Sequence, residues 1–189
     1  QSIAQFAQFN IDYVEQPVAT VDEMVELKKR LEGTGVRLAA DELIRKSHAL
    51  DEIIEREAAD VAVLKVSPLG GINRTLDLAR KARNAGLEVV VSSALETSVG
   101  LSWAAKAMAI LKQEWRDVSD AGLGTAVLVE SDVTEEPLAI NNGRIEVREP
   151  VLDMDKVETF RASPERTRWW EERFERCLPL AIQILEDRE

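Results

Sequence analysis

Residues 61–71 read Val-Ala-Val-Leu-Lys-Val-Ser-Pro-Leu-Gly-Gly and show the pattern on which the fold depends. The first four side chains are apolar and include two valines, as in a short buried strand, and residues 73–85 then follow a helical pattern. Comparable apolar runs begin near residues 11, 36 and 87, and a helix-like stretch follows each of them. This alternation predicts an α/β fold in which parallel strands are joined by right-handed crossovers.

The apolar runs recur about every 25 residues, and such even units favour a (β/α) barrel over a doubly wound sheet. A closed barrel needs eight strands in about 250 residues. The chain has 189 residues and shows four strand patterns, with a fifth candidate in the short segment before Gly122. We therefore predict a partial, TIM-like barrel. The predicted strands are 11–14, 36–40, 61–64 and 87–91, and the predicted helices are 21–32, 50–58, 73–85 and 98–113.

The βα repetition ends after about residue 127, which predicts a barrel portion over residues 1–130 and a separate C-terminal segment over residues 131–189. Within that segment, Asn141-Asn142-Gly143 lies between Leu138-Ala139-Ile140 and Ile145-Glu146-Val147 and predicts a hairpin. Ser163-Pro164-Glu165 predicts the start of a C-terminal helix, which we expect Pro179 to interrupt.

Composition excludes several classes of function. The chain is 45% hydrophobic and 31% charged, as in an ordinary globular protein, and its formal net charge of −11 opposes phosphate backbones and anionic lipid. We expect no nucleic-acid partner and no membrane partner. A single cysteine, Cys177, predicts a reducing, cytoplasmic location. The chain begins with Gln1 in a run that looks folded, and we expect that an N-terminal part of the gene product has been removed.

A charged residue ends three successive apolar runs: Glu15, Asp41 and Lys65. Functional sites in parallel α/β folds lie at the carboxyl ends of the strands, and a charge placed there is costly to bury unless it is paired or bound to a metal. Two neighbouring carboxylates are hard oxygen ligands of the kind that Mg²⁺ accepts. A lysine facing them can transfer a proton or stabilise a developing negative charge.

Simpler interpretations of the same residues remain open. Asp41 could cap the following helix, and Lys65 could serve only as its ion-pair partner. Residues 68–71, Pro-Leu-Gly-Gly, could cradle a phosphate, although a tight βα turn is favoured. Ser92 could offer its hydroxyl to a substrate or belong to a helix cap. The only histidine, His48, lies in a polar stretch, so a histidine base is not expected.

Five blocks of this sequence resemble the enolase superfamily and, within it, the o-succinylbenzoate synthase family in its actinobacterial form. The strand-end blocks Val14-Glu15-Gln16-Pro17 and Asp41-Glu42 are general to the superfamily, whereas the blocks around Lys65 and Ser92 in combination point to the synthases. The blocks are 13–17, 39–42, 63–71, 91–100 and 122–125.

The resemblance implies roles for individual residues. Glu15 and Asp41 match the second and third Mg²⁺ ligands, on the fourth and fifth barrel strands, and Lys65 matches the sixth-strand lysine that stabilises an enediolate. Ser92 and the Gly122-Leu123 segment match positions on strands seven and eight that contact the substrate, a small-molecule carboxylate. The family's lysine base and first metal ligand have no counterpart in these residues.

By this resemblance, the chain corresponds to strands four to eight of the barrel and implies a Mg²⁺-dependent dehydratase forming o-succinylbenzoate in menaquinone biosynthesis. Racemisation of N-acylamino acids or epimerisation of dipeptides is an alternative on the same scaffold, and an inactive fragment or interaction module is another. Because a partial barrel exposes an unpaired strand edge, we expect the missing N-terminal half of the same protein as a partner.

Overall fold

The computed structural model describes residues 3–46 and 48–186 of the chain. It contains two compact units, Gln1–Val151 and Leu152–Glu189. The domain boundary predicted at residue 130 stays a prediction, and the contacts within the first unit extend to Val151. In the described part of the chain, no helix has the length and apolar character needed to cross a lipid bilayer.

The first unit is built on a sheet of four parallel strands that lie in chain order. The predicted α/β class is therefore confirmed. The fifth predicted strand is present only as an isolated parallel bridge between Ser92 and Gly122, which adds one more segment beside the fourth strand. The strands are β1 (Tyr13–Glu15), β2 (Arg37–Ala40), β3 (Val61–Lys65) and β4 (Glu88–Ser92).

Helices follow the strands as the periodicity predicts, and short 3₁₀ segments fill several of the connections. The α-helices are α1 (Val21–Arg30), α2 (Ala49–Glu55), α3 (Val66–Leu69), α4 (Ile72–Asn84), α5 (Ser98–Glu114), α6 (Met154–Thr159) and α7 (Pro164–Glu186). The 3₁₀ segments are Ile3–Phe9, Glu42–Arg45 and Gly124–Leu128.

Local signals explain where these helices begin. Thr20 and Glu23 form a reciprocal capping box at the start of α1. The Gly70-Gly71 pair has positive φ angles of 92° and 117°, which a residue with a side chain rarely adopts, and it links α3 to α4. Pro68 and Leu69 belong to α3, so the predicted tight turn is limited to Gly70-Gly71.

Alternating strand residues pack on opposite faces of the sheet, as the pleat requires. Leu38, Leu64 and Val91 belong to the main apolar core together with side chains from the helices. Val61 and Val63 belong to a second, smaller cluster. Burial on both faces explains why the central residues of β2, β3 and β4 are apolar and why a charge at the carboxyl end of a strand stands out.

The predicted C-terminal features are partly confirmed. Asn141 and Arg144 exchange two backbone hydrogen bonds of 2.8 and 3.0 Å around a tight turn, but no strands extend from it, so the hairpin is limited to one bridge. In the second unit, the Ser163 hydroxyl accepts from the Arg166 N–H at 3.2 Å, which confirms the predicted helix start. The predicted interruption at Pro179 is wrong, because α7 continues through it. The φ of proline is compatible with a helix, so α7 continues even though the ring removes one hydrogen-bond donor and crowds the carbonyl of Glu175.

Candidate active site

The structure brings Glu15, Asp41 and Lys65 together at the carboxyl ends of β1, β2 and β3. The Lys65 ammonium forms an ion pair with Asp41, and its Nζ lies 3.8 Å from Oε1 of Glu15. The Asp41 side chain is 3% exposed, that of Lys65 is 15% exposed and that of Glu15 is 42% exposed. The site therefore runs from a buried carboxylate, through a lysine, to a carboxylate that is open to solvent.

Asp41 does not act as a helix cap. It precedes the 3₁₀ segment Glu42–Arg45, but its side chain makes no capping hydrogen bond there. It faces Lys65 instead, and Nη2 of Arg45 lies 3.7 Å from its Oδ1. Of the two simpler interpretations, capping by Asp41 is wrong, and pairing of Lys65 with Asp41 is observed. Such pairing is compatible with catalysis, because it holds the ammonium group at the strand ends.

Gln16 is a structural part of this site that the sequence argument missed. Its side-chain Oε1 accepts hydrogen bonds from the backbone N–H groups of Asp41, at 2.9 Å, and Leu43, at 3.2 Å. Its Nε2 donates to the carbonyl of Val18 at 2.7 Å. Gln16 therefore ties the loop after β1 to the turn that carries Asp41. The sequence feature that could have indicated this role is the position of Gln16 directly after Glu15 in the Glu-Gln-Pro block.

The surroundings of Glu15 disfavour its ionised form. Partial burial raises the pKa of Glu15 above its usual value, and the hydrogen bond and negative charge of Asp41 raise it further, while the charge of Lys65 acts in the opposite direction. Two carboxylates in contact repel each other when both are ionised. Added positive charge between them relieves that repulsion.

The donor set of Glu15 and Asp41 fits a divalent metal ion. Mg²⁺ is commonly held by one or two carboxylates, with substrate and water completing its octahedral shell. Among the described residues, no group of three or more histidine, cysteine, aspartate or glutamate side chains is arranged to hold a metal.

Ser92 and Gly122 lie at the same edge of the sheet. Ser92 is the register partner of Lys65, and its hydroxyl donates to the carbonyl of Gly122 at 3.1 Å. A Cβ at position 122 would lie 3.1 Å from Ser92 Oγ, so glycine allows this close approach. The Leu123 side chain is 9% exposed and packs in the apolar core. If Leu123 contacts a substrate, its backbone groups and not its side chain make the contact.

The neighbouring hydroxyls are structural. Ser93 Oγ lies 3.2 Å from the Gly122 carbonyl and 2.7 Å from Oγ1 of Thr125, which donates to the carbonyl of Ala94 at 2.6 Å. These bonds hold the loop after β4 against the segment after Gly122. His48 is exposed, as the sequence predicts.

The family model described as "Enolase C-terminal domain-like" matches residues 1–151. The chain belongs to this family.

An o-succinylbenzoate synthase of Mycobacterium marinum is 39% identical over 179 residues, which are 95% of this chain and 52% of the relative. The synthase of Mycobacterium tuberculosis strain H37Rv is 40% identical over 173 residues, 91% of this chain and 50% of the relative. The predicted resemblance to this synthase family is confirmed, and the chain spans about half the length of these curated relatives.

Solved structures agree on the fold. A muconate cycloisomerase from Pseudomonas fluorescens superposes with a TM-score of 0.75 at 24% identity, covering 86% of this chain and 45% of the other. An N-succinyl Arg/Lys racemase from Bacillus cereus gives a TM-score of 0.68 at 25% identity, covering 82% of this chain and 41% of the other.

Proposed function

We propose that this chain supplies part of the active site of a Mg²⁺-dependent lyase that dehydrates a succinyl-hydroxycyclohexadiene carboxylate to o-succinylbenzoate, a step of menaquinone biosynthesis. The observation that carries the proposal is the Lys65 ammonium between Asp41 and Glu15 at three adjacent strand ends. The synthase relatives support the choice of reaction. The single cysteine supports a cytoplasmic location for the enzyme.

The proposed roles of the site residues follow from the charges of their side chains. Glu15 and Asp41 would hold the metal, which when bound supplies a Lewis acid that makes the proton beside the substrate carboxylate more acidic. Lys65 would stabilise the negative charge of the enediolate through its ammonium group. Ser92 and the Gly122-Leu123 segment would contact the substrate beside Lys65. After proton removal, the substrate loses hydroxide and its ring becomes aromatic.

The proton acceptor is not among the residues discussed above, since Lys65 is assigned to charge stabilisation. We propose that a lysine of an N-terminal half of the same protein removes the proton, and that this half pairs with the open edge of β1. Strand β1 is at the end of the sheet order, so one side of it has no strand neighbour in the described residues. The share of the synthase relatives that this chain covers supports the same proposal.

The test is turnover of the cyclohexadiene substrate by the protein with both halves present. Lys65→Ala should lower kcat at least about 100-fold, because removing one charge-stabilising donor has an effect of that size. Lys29→Ala, on the exposed surface of α1, is the matched control and should leave kcat unchanged. Near-normal turnover by Lys65→Ala would remove Lys65 from the mechanism.

The metal assignment has its own test. Glu15→Gln keeps the shape of the side chain but removes its charge, so the Mg²⁺ concentration for half-maximal binding in calorimetry should rise at least about tenfold. Exposed Glu32→Gln is the control for loss of one negative charge. An unchanged Mg²⁺ titration for Glu15→Gln would contradict the ligand assignment.

A second candidate function is racemisation of an N-acylamino acid or epimerisation of a dipeptide. The structural similarity to the N-succinyl Arg/Lys racemase supports it. Exchange of the substrate α-proton in deuterated water without loss of water would favour this reaction over dehydration. Failure of the assembled protein to bind Mg²⁺ would instead favour an inactive or interaction module.

A further inference from the structure

The carboxyl edge of the sheet carries one more carboxylate, which the proposed function leaves unused. Glu96 lies in the loop between β4 and α5, and its Oε1 accepts a hydrogen bond from the hydroxyl of Ser67. Ser67 is the second residue of α3, which begins directly after Lys65. The Ser67–Glu96 hydrogen bond therefore connects the turn that carries Lys65 to the loop that follows Ser92.

The Glu96 side chain lies against the first turn of α5. A Cβ built on Gly100 would come within 2.8 Å of Glu96 Cδ and 2.9 Å of its Cβ, closer than real side chains approach. Only a glycine at position 100 leaves room for Glu96 in this orientation. Gly100 therefore leaves the space that the Glu96 side chain occupies.

The loop that bears Glu96 is itself held in place. At its start, the Ser93 N–H donates to the Gly122 carbonyl at 3.0 Å. At its end, the Ser98 N–H donates to Oδ2 of Asp132 at 2.7 Å. Glu96 thus projects from a loop fixed at both ends, and it can restrain α3, a helix of four residues whose own hydrogen bonds are few.

We propose that Glu96 is a positioning residue that fixes the α3 turn and thereby the direction in which Lys65 leaves β3. No residue separates Lys65 from α3, so rotation of that turn would move the Lys65 backbone directly. A displacement of about 1 Å at a catalytic group is enough to lower a rate about 100-fold. This inference rests on the proposed function of Lys65 as a charge-stabilising group.

The first test measures the turn without measuring turnover. The amides of Gly70 and Gly71 donate to the carbonyls of Ser67 and Val66 at 3.1 and 3.0 Å, so their hydrogen exchange reports opening of α3. In the full protein, Glu96→Ala should speed this exchange about tenfold, the factor expected for a hydrogen bond to a charged group. Amides of β2 should keep their wild-type rates, as should all amides in the control Glu32→Gln.

The second test measures catalysis. Glu96→Ala should lower kcat about tenfold with little change in KM, and Glu96→Gln should recover most of it, because its amide oxygen still accepts from Ser67. Gly100→Ala is an independent variant: it should keep α5 stable but displace Glu96, so it should reproduce the faster exchange and lower kcat.

The outcomes separate the two proposals. Unchanged exchange at Gly70 and Gly71 in Glu96→Ala overturns the positioning role, whatever the turnover. Faster exchange with wild-type kcat overturns it as well, since the turn would then not matter to Lys65. If the wild-type protein does not dehydrate the cyclohexadiene substrate, the proposed function fails, and the exchange data alone then decide whether Glu96 fixes the turn.

Discussion

Substitution of Asp132 tests whether helix α5 depends on a cap supplied from a distant part of the chain. Asp132 is 8% exposed. Its Oδ2 accepts from the N–H and hydroxyl of Ser98 at 2.7 and 2.8 Å. Its Oδ1 accepts from the N–H and hydroxyl of Thr134 at 3.1 and 2.8 Å. Thr97 holds the cap position of α5 but makes no capping hydrogen bond with its side chain, so Asp132 takes that role.

The magnitude follows from these bonds. Loss of a helix cap costs about 1 kcal/mol, and a buried donor left without a partner costs about 1–3 kcal/mol. Asp132→Ala leaves donors of both Ser98 and Thr134 without this acceptor, so the free energy of unfolding should fall by about 3 kcal/mol. Asp132→Asn keeps one acceptor oxygen and loses the charge, so its effect should be about 2 kcal/mol.

The same residue predicts a pH dependence. Burial acts to raise the pKa of Asp132, but the hydrogen bonds from Ser98 and Thr134 outweigh it, and the folded-state pKa is lowered. The ionised carboxylate therefore stabilises the fold above its unfolded pKa of about 3.9, and this contribution is lost as the pH falls through the folded value. The Asp132→Asn variant cannot titrate at this position, so the difference in free energy of unfolding between this variant and wild type should become smaller in acid.

The assay is urea unfolding followed by circular dichroism at 222 nm, near neutral pH and near pH 3. Asp120→Asn is the matched control, because Asp120 lies in the same region of the chain and is fully exposed. A loss below about 0.5 kcal/mol for Asp132→Ala would refute the capping argument, since surface substitutions alone reach that size. If wild type and Asp132→Asn differ by the same free energy of unfolding near pH 3 as near neutral pH, the contribution assigned to the charge of Asp132 is refuted.

Three further expectations concern the sheet and its edge. Leu38→Ala removes a fully buried side chain and should lower the free energy of urea unfolding by about 3 kcal/mol; a loss under about 1 kcal/mol would contradict its core position. Arg37→Gln breaks a 2.6 Å ion pair with Glu88 between partly exposed groups, so it should lower the free energy of unfolding by less than about 1 kcal/mol. High salt should reduce the difference in free energy between wild type and variant. A larger loss that does not depend on salt would contradict this estimate of the ion pair. Gly122→Ala places a methyl group 3.1 Å from Ser92 Oγ and should lower the free energy of unfolding by about 1 kcal/mol. Adding Ser92→Ala in the same chain should restore most of that stability. If the double variant shows no recovery, the strain does not come from the contact with Ser92.

The sequence was most informative where the physical signal is local and repeated. Apolar runs of strand length, each followed by a helical pattern, predicted four strands and their helices, because burial on both faces favours near-continuous apolar runs in parallel strands. The glycines at 70 and 71 predicted a turn for a similar reason, since their backbone angles exclude most other residues. Pro179 misled the prediction because a proline weakens a helix locally, whereas a long helix can continue past the lost bond.

The candidate site also contains residues that the sequence indicated and contacts that it did not. Charges at Glu15, Asp41 and Lys65 stand out in the sequence because each continues an apolar strand, and parallel pairing then brings neighbouring strand ends together. The sequence placed Gln16 directly after Glu15, but the backbone groups that its side chain binds were not predictable. Gln16 reaches the backbone of Asp41 from 25 residues away in the chain, and polar residues of this type are common in loops.

By itself, the sequence determined the α/β class, the order of the elements, and which charged residues lie at strand ends, since these depend on periodicity along the chain. Only the tertiary structure decided that Lys65 pairs with Asp41, that Asp132 caps α5, and that Gly100 leaves space for Glu96. The first two contacts join residues that are 24 and 34 positions apart, and the third depends on the conformation of the loop that carries Glu96. Their existence depends on distances and burial in three dimensions, for which the local pattern of residue types carries no signal.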